Sequence, residues 1–312
     1  MKLLTKIGAL TPLALGLMLG IVLLIQACNK SENPTEEPLP QQPMSRNAEG
    51  ETIMRHPQTD QTVNPEETAN PKEMVMGSKI FQDYTWQIIP NQSLQPGKPV
   101  TLTFDITEKK TGIPIQNLQV AHEKLAHLVI VSQDLKAFQH LHPAIGDPGH
   151  MIVENTFPKA GQYLLFLQFQ TAKAGEQTLR QTLQIGQAKS SSARLVPDAD
   201  QAKTVDGYIF KLSNYPTKAN VASMPTVSIE RDGRPVEQIQ SFLGAGGHAV
   251  IISQDTQSFL HVHPMTKPVG DNLYRSPIAF HTLIPEPGLY KLWTQFQING
   301  KVQTADFTFQ VW

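Results

Sequence analysis

The stretch His127-Leu-Val-Ile-Val-Ser-Gln-Asp134 recurs further along the chain as His248-Ala-Val-Ile-Ile-Ser-Gln-Asp255, an offset of 121 residues. At the same offset, Phe138-Gln-His140-Leu-His142-Pro143 recurs as Phe259-Leu-His261-Val-His263-Pro264, and 10 of the 17 positions from 127 to 143 are identical. A constant offset across a whole motif is the signature of a duplicated structural unit. The sequence therefore predicts two copies of one domain.

Each copy has the residue pattern of β-strands. Val100, Leu102, Phe104 and Ile106 alternate with polar residues, which is the period of a strand with one buried face. The same interpretation is given to the segments 126–132, 162–170, 177–185, 207–212, 248–253, 289–297 and 302–311. Pro and Gly interrupt nearly every gap between them. Seven or so strands in about 100 residues favour an all-β fold made of tandem antiparallel β-sandwich domains.

A second repeated pattern supports immunoglobulin-like domains. Pro158-Lys-Ala-Gly161-Gln-Tyr163 matches Pro285-Glu-Pro-Gly288-Leu-Tyr290, and both resemble the tyrosine corner of such folds. The predicted organisation is a signal peptide at 1–27, a lipidated disordered tether at 28–78, a first β-sandwich at 79–187, a linker at 188–202 and a second β-sandwich at 203–312.

The N-terminal residues have the pattern of a secretory targeting signal. Lys2 and Lys6 precede an apolar run, Ile7 to Ile25, and the chain's single cysteine follows at Cys28. This layout resembles a bacterial lipoprotein signal, in which the cysteine is acylated. An uncleaved membrane anchor is the alternative. Either way the body of the protein is expected in the cell envelope, facing the periplasm or the exterior.

Composition excludes several classes of function. Lys plus Arg (26) nearly cancels Asp plus Glu (27), so we expect no nucleic-acid partner. One cysteine excludes an internal disulfide, an iron–sulfur cluster and a thiolate zinc finger. The sequence has no nucleophile elbow, P-loop or dinucleotide fingerprint, so we do not expect an enzyme.

The repeated histidines are the candidate site. A hairpin that closes about Asp134 and Leu135 places His127 opposite His142, and His140 shares the strand face of His142. Three imidazoles on one face are a suitable ligand set for a metal ion. The predicted metal ligands are His127, His140 and His142 in copy one, and His248, His261 and His263 in copy two. Copper(II) is favoured by nitrogen ligands, with zinc as the alternative.

Other interpretations stay open. The histidines can instead form a hydrogen-bonded patch or recognise a ligand. His122 has Leu243 as its counterpart, which argues against a shared role. The sequence does not decide whether the two domains pack together. If their histidine faces meet, one shared site replaces two.

The joint motif is similar to the YtkA-like family of bacterial secreted immunoglobulin-like domains. That resemblance implies an extracytoplasmic role in handling copper or another heavy metal, with the six repeated histidines as the mapped residues. The expected function is a membrane-anchored protein that sequesters or delivers copper or zinc. Its expected partners are the metal ion, the membrane through the lipid anchor and an envelope protein. A non-metal interaction or scaffold module of the envelope is the competing hypothesis.

Overall fold

The computed structural model describes residues 83–188 and 192–312, and both repeats lie within one compact unit. The predicted signal peptide, the lipidation site at Cys28 and the tether therefore fall outside the described residues. The described part consists of strands and turns, which confirms the all-β prediction of two tandem β-sandwiches. None of its segments is a helix of the length and apolarity needed to cross a membrane.

The first repeat folds into two antiparallel sheets. Its strands are β1 (Tyr84–Pro90), β2 (Pro99–Glu108), β3 (Leu118–Gln119), β4 (Ala126–Ser132), β5 (Phe138–Leu141), β6 (Ala144–Ile145), β7 (His150–Thr156), β8 (Gly161–Thr171) and β9 (Gly175–Ile185). One sheet has the order β1-β2-β7-β6. The other, which we call the hairpin sheet, has the order β5-β4-β8-β9, with β3 pairing with the end of β8.

The second repeat has the same plan with more short strands. They are β10 (Ala202–Val205), β11 (Tyr208–Ser213), β12 (Ala222–Ser223), β13 (Thr226–Arg231), β14 (Arg234–Pro235), β15 (Ile239–Gln240), β16 (His248–Ser253), β17 (Phe259–Val262), β18 (Leu273–Tyr274), β19 (Ile278–Ala279), β20 (Thr282–Leu283), β21 (Gly288–Ile298) and β22 (Lys301–Val311). Its hairpin sheet runs β17-β16-β21-β22 and matches the hairpin sheet of the first repeat.

The repeated motifs do what the sequence predicts locally. Asp134 accepts a hydrogen bond from the Ser132 hydroxyl at 2.6 Å and so shapes the hairpin turn. The Tyr163 hydroxyl donates to the Lys159 carbonyl at 3.1 Å, and the Tyr290 hydroxyl donates to the Glu286 carbonyl at 2.8 Å. Both are tyrosine corners, each closing on a backbone oxygen four residues upstream.

The two repeats pack on each other through their hairpin sheets. The sequence interpretation gave strand 126–132 one buried face, and the structure corrects this. Alternate residues of β4 face the core of their own repeat, while Val129 and Val131 enter a third core shared with Val250 and Ile252. A strand buried on both faces needs the near-continuous apolar run that Leu128 to Val131 supplies.

The shared core has the symmetry of a two-fold interface. The Phe138 ring stacks on Trp293 with centroids 5.0 Å apart, and the Phe259 ring stacks on Phe166 at 4.5 Å. Phe138 corresponds to Phe259 in the repeat, and Phe166 corresponds to Trp293. Each repeat therefore gives the other the contact that it receives, as in an isologous dimer. Linker residue Leu195 also packs against this core.

We expect the Trp293→Ala variant to lose about 3–5 kcal/mol of unfolding free energy, because it opens a large cavity in the shared core. Urea unfolding of the full chain measures this loss. Trp312→Ala is the matched control, since Trp312 is 76% exposed and Trp293 only 3%. The control is expected to change the unfolding free energy by less than about 0.5 kcal/mol. Equal stability of the two variants would show that the repeats are not held together by this core.

Candidate metal centre at the repeat interface

The repeated histidines lie at the end of the shared core that is farther from the hairpin turns. The pairing of Leu128 with Leu141 continues to His127 opposite His142, as the hairpin register predicts, with ring centroids 5.0 Å apart. In the second repeat the pairing of Ala249 with Val262 continues to His248 opposite His263. Because the side chains of alternating residues share a face, these imidazoles point the same way as the aromatic residues that hold the repeats together.

The two sets of histidines meet in one cluster. His127 and His261 have ring centroids 5.2 Å apart, and His140 and His261 lie at 5.1 Å. The structure thus answers the question that the sequence left open, because the histidine faces of the two repeats face each other. We call the assembly the imidazole cluster, and its members are His122, His127, His140, His142, His248, His261 and His263.

Each repeat supplies a glutamine that holds a histidine of the other. His140 Nδ1 lies 2.9 Å from Gln295 Oε1, and His261 Nδ1 lies 2.6 Å from Gln168 Oε1. The amide nitrogen of Gln168 donates to Glu176, which fixes the amide oxygen towards His261. An amide oxygen only accepts, so both histidines carry their proton on Nδ1 and present a lone pair on Nε2.

A backbone carbonyl fixes a third histidine. His127 Nε2 donates to the carbonyl oxygen of Ala121 at 3.0 Å, which leaves the lone pair on Nδ1. That Nδ1 lies 3.2 Å from His140 Nε2. In neutral rings with these outer hydrogen bonds, neither of the two facing nitrogens carries a proton, and each has a lone pair free for an ion. Nitrogens at this separation, each about 2.0–2.1 Å from a shared ion, subtend about 100° at the ion.

Further ring nitrogens of the cluster are buried, and His248 Nδ1 lies 3.2 Å from His261 Nε2, the same contact that His127 makes with His140. The Nε2 atoms of His142, His248 and His263 find no hydrogen-bond partner among the described residues. Buried polar atoms in proteins are normally satisfied, so these three nitrogens are candidate ligand atoms for an ion. In metal sites the ligating histidine donates its outer N–H to an amide, carboxylate or carbonyl oxygen, which is the arrangement of His127, His140 and His261.

Two groups of three imidazoles have ligand nitrogens within 4.8 Å of one another. The intra-repeat triad consists of His127, His140 and His142. The cross-repeat triad consists of His140, His248 and His261. Five of the six predicted ligands belong to a triad. His263 lies beside them, with its ring 4.7 Å from that of His248.

The sequence argument set His122 aside, and the structure places it in the cluster. Its ring stacks on His263 with centroids 3.3 Å apart and planes 14° from parallel. His122 and Glu123 both have positive φ, in a tight turn closed by hydrogen bonds between Ala121 and Lys124. A left-handed conformation is uncommon for a residue other than glycine, and it recurs at Leu243. Comparison of the repeats could not find His122, because its counterpart has no imidazole.

Three other side chains with ligand atoms, His150, Met151 and Met265, are not members of the imidazole cluster. His150 pairs with Asp105 at 2.8 Å on the sheet away from the interface. Met151 is buried in the core of the first repeat, and Met265 is exposed.

Burial keeps the clustered imidazoles neutral. Desolvation, opposed by the Gln295 hydrogen bond and assisted by neighbouring imidazoles, lowers the pKa of His140 to about 4. Desolvation and the neighbouring rings also lower the pKa of His142 to about 3, and they hold the pKa values of His248 and His261 well below 6.5. Neutral imidazole is the form that binds metal ions, so the fold presents ligands already deprotonated at neutral pH.

These pKa values predict how the metal-free protein responds to acid. The unfolded chain binds protons near pH 6.5, whereas the folded cluster excludes them until about pH 4, so the unfolding free energy falls as the pH falls. For His140, His248 and His261 together we expect a loss of about 4 kcal/mol between pH 7.5 and 5.5. Urea unfolding with a chelator at both pH values measures it. Equal unfolding free energies would contradict the buried neutral cluster.

A family model described as "Domain of unknown function (DUF8832)" matches residues 79–186 and again 203–312. None of the curated proteins matches the chain. The alpha-2-macroglobulin of E. coli in its native conformation is a structural neighbour at 9% identity and a TM-score of 0.26, over 75% of this chain and 17% of that one. The E. coli adhesin FdeC is 13% identical with a TM-score of 0.23, over 76% of this chain and 65% of its own.

A putative membrane-anchored protein from Corynebacterium diphtheriae is 11% identical with a TM-score of 0.22, over 72% of this chain and 58% of its own. The chain thus spans less than two thirds of each of these three structures.

Proposed function

The chain belongs to the DUF8832 family through both of its repeats, and we propose that the two repeats together form one imidazole-lined site that binds copper or zinc. The observation that carries this proposal is the 3.2 Å contact between His127 Nδ1 and His140 Nε2, two rings whose outer nitrogens both face acceptor oxygens. Between two neutral rings this contact is repulsive unless a proton or a metal ion lies between the nitrogens. Outer hydrogen bonds donated by the two histidines to the Ala121 carbonyl and the Gln295 amide oxygen hold it in place.

The ligand chemistry favours copper(II) and then zinc. The described cluster offers imidazole nitrogens and no carboxylate or thiolate, which suits both ions and disfavours calcium and magnesium. Intrinsic affinity for nitrogen ligands places copper(II) above zinc. The resemblance of the repeated motif to YtkA-like domains points the same way.

We further propose that the site serves sequestration or delivery of the ion and not catalysis. Six of the seven imidazoles come from one duplicated motif, and we assign no nucleophile beside them. An envelope protein is the candidate recipient of the ion. The lipoprotein-like residues 1–28 support a location in the cell envelope, with the two repeats held to the membrane through Cys28.

Titration of the full chain with copper(II) and zinc(II) by calorimetry tests the site. We expect sub-micromolar binding by the wild-type protein. In the His127→Gln/His140→Gln variant the affinity is expected to fall at least about a hundredfold, because removing ligands costs more than removing an outer hydrogen-bond partner. His150→Gln is the matched control, since this imidazole lies outside the cluster, and it should bind as the wild type does.

Absence of binding by folded wild-type protein would remove the metal function. The cluster would then be a structural patch, and an interaction module of the envelope would become the leading hypothesis.

Fractionation of bacterial cells tests the anchor. Wild-type protein is expected in the membrane fraction and released only by detergent, because an acyl chain on Cys28 holds it there. The Cys28→Ala variant is expected to lose that anchor and enter the soluble fraction if the leader is cleaved. Retention of the variant in the membrane would instead support the uncleaved anchor.

A further inference from the structure

The two triads of the imidazole cluster share one residue. His127, His140 and His142 belong to the first repeat, whereas His248 and His261 of the cross-repeat triad belong to the second. The sequence predicts one set of ligands in each repeat and leaves open whether they form two sites or one shared site. The structure joins both halves at His140.

His140 has only one lone pair to offer. Its Nδ1–H is donated to the amide oxygen of Gln295 at 2.9 Å, so Nε2 is the ligating atom. A neutral imidazole in this form binds one ion. Filling both triads at once would require His140 to lose its second proton and to give up the Gln295 hydrogen bond.

We propose that the cluster holds a single copper or zinc ion that exchanges between two positions, with His140 as a ligand in both. This inference rests on the proposed metal-binding function and deepens it. In the intra-repeat position His127 and His142 complete the set, and in the cross-repeat position His248 and His261 do. Two metal–nitrogen bonds break and two form during the exchange, while the bond to His140 is kept and no proton leaves it.

His122 makes the histidine arrangements of the two repeats different. In the repeated motif His142 and His263 occupy the same position, yet only His142 belongs to a triad. The ring of His263 stacks on His122 of the first repeat at 3.3 Å. His142 has no equivalent imidazole partner, because Leu243 of the second repeat stands at the position that corresponds to His122. The second repeat therefore contributes two ligands, His248 and His261, to the triad that contains His140. Among the described residues it forms no triad of its own.

This arrangement matches what delivery requires. An ion that changes ligands in steps, always held by one of them, moves from one repeat to the interface without being released to water. The cross-repeat position exists only while the repeats are docked, since its ligands come from both sides. Docking of the repeats and occupancy of that position are consequently linked.

Copper(II) titration of the full chain, followed by calorimetry and by electron paramagnetic resonance of frozen samples, tests the inference. The wild type is expected to bind one equivalent and to show two superimposed copper(II) signals, one for each position. His142→Gln and His248→Gln should each still bind one equivalent. Each should show a single signal, and the two signals should differ.

The double variant His142→Gln/His248→Gln should lose affinity at least about a hundredfold, since both triads are broken while His140 and its Gln295 contact remain. His263→Gln is the matched control for His142→Gln, because the motif treats the two positions alike. It should keep both signals and one equivalent.

Two outcomes overturn the inference and leave the proposed function standing. They are two equivalents bound by the wild type, or equal spectral effects of His142→Gln and His263→Gln, which would indicate one site per repeat. No copper binding by folded wild-type protein would overturn both. Thermal unfolding of each variant shows that it is folded before its binding is compared.

Discussion

His140 and His261 are each held by a glutamine of the other repeat, and the rest of the site depends on this reciprocal exchange. The two hydrogen bonds form only when the hairpin sheets face each other. They set the tautomers that turn Nε2 lone pairs towards a common centre. Without docking the repeats would present two separate exposed histidine hairpins, and with it they present one buried cluster.

The docking of the two repeats in turn depends on aromatic contacts between their hairpin sheets. Phe138 stacks on Trp293 and Phe259 on Phe166, and these contacts remove water from the neighbouring imidazoles. Desolvation is the main cause of the lowered pKa values in the cluster. Burying polar rings costs free energy unless they find partners. The apolar contacts offset that cost, and a bound cation would give partners to ring nitrogens that have none in the described structure.

The local features of this structure could be predicted from the sequence, whereas the features that depend on packing between the repeats could not. The hairpin register, the tyrosine corners and the role of Asp134 follow from short-range rules, and the structure confirms them. The apolar run Leu128 to Val131 is typical of a strand buried on both faces, but so short a run is also compatible with a strand buried on one face. His122 has no repeated partner, so only the fold brings it to His263.

The most direct test of a shared metal site is anomalous diffraction from crystals of the full chain grown with copper(II) or zinc(II), recorded at the absorption edge of the metal. We expect anomalous density between the repeats, about 2.0–2.1 Å from a ring nitrogen of His140. Ordered imidazoles with no anomalous density among them, or density confined to the outer pair of His150 and Asp105, would contradict a metal centre built by the two repeats together.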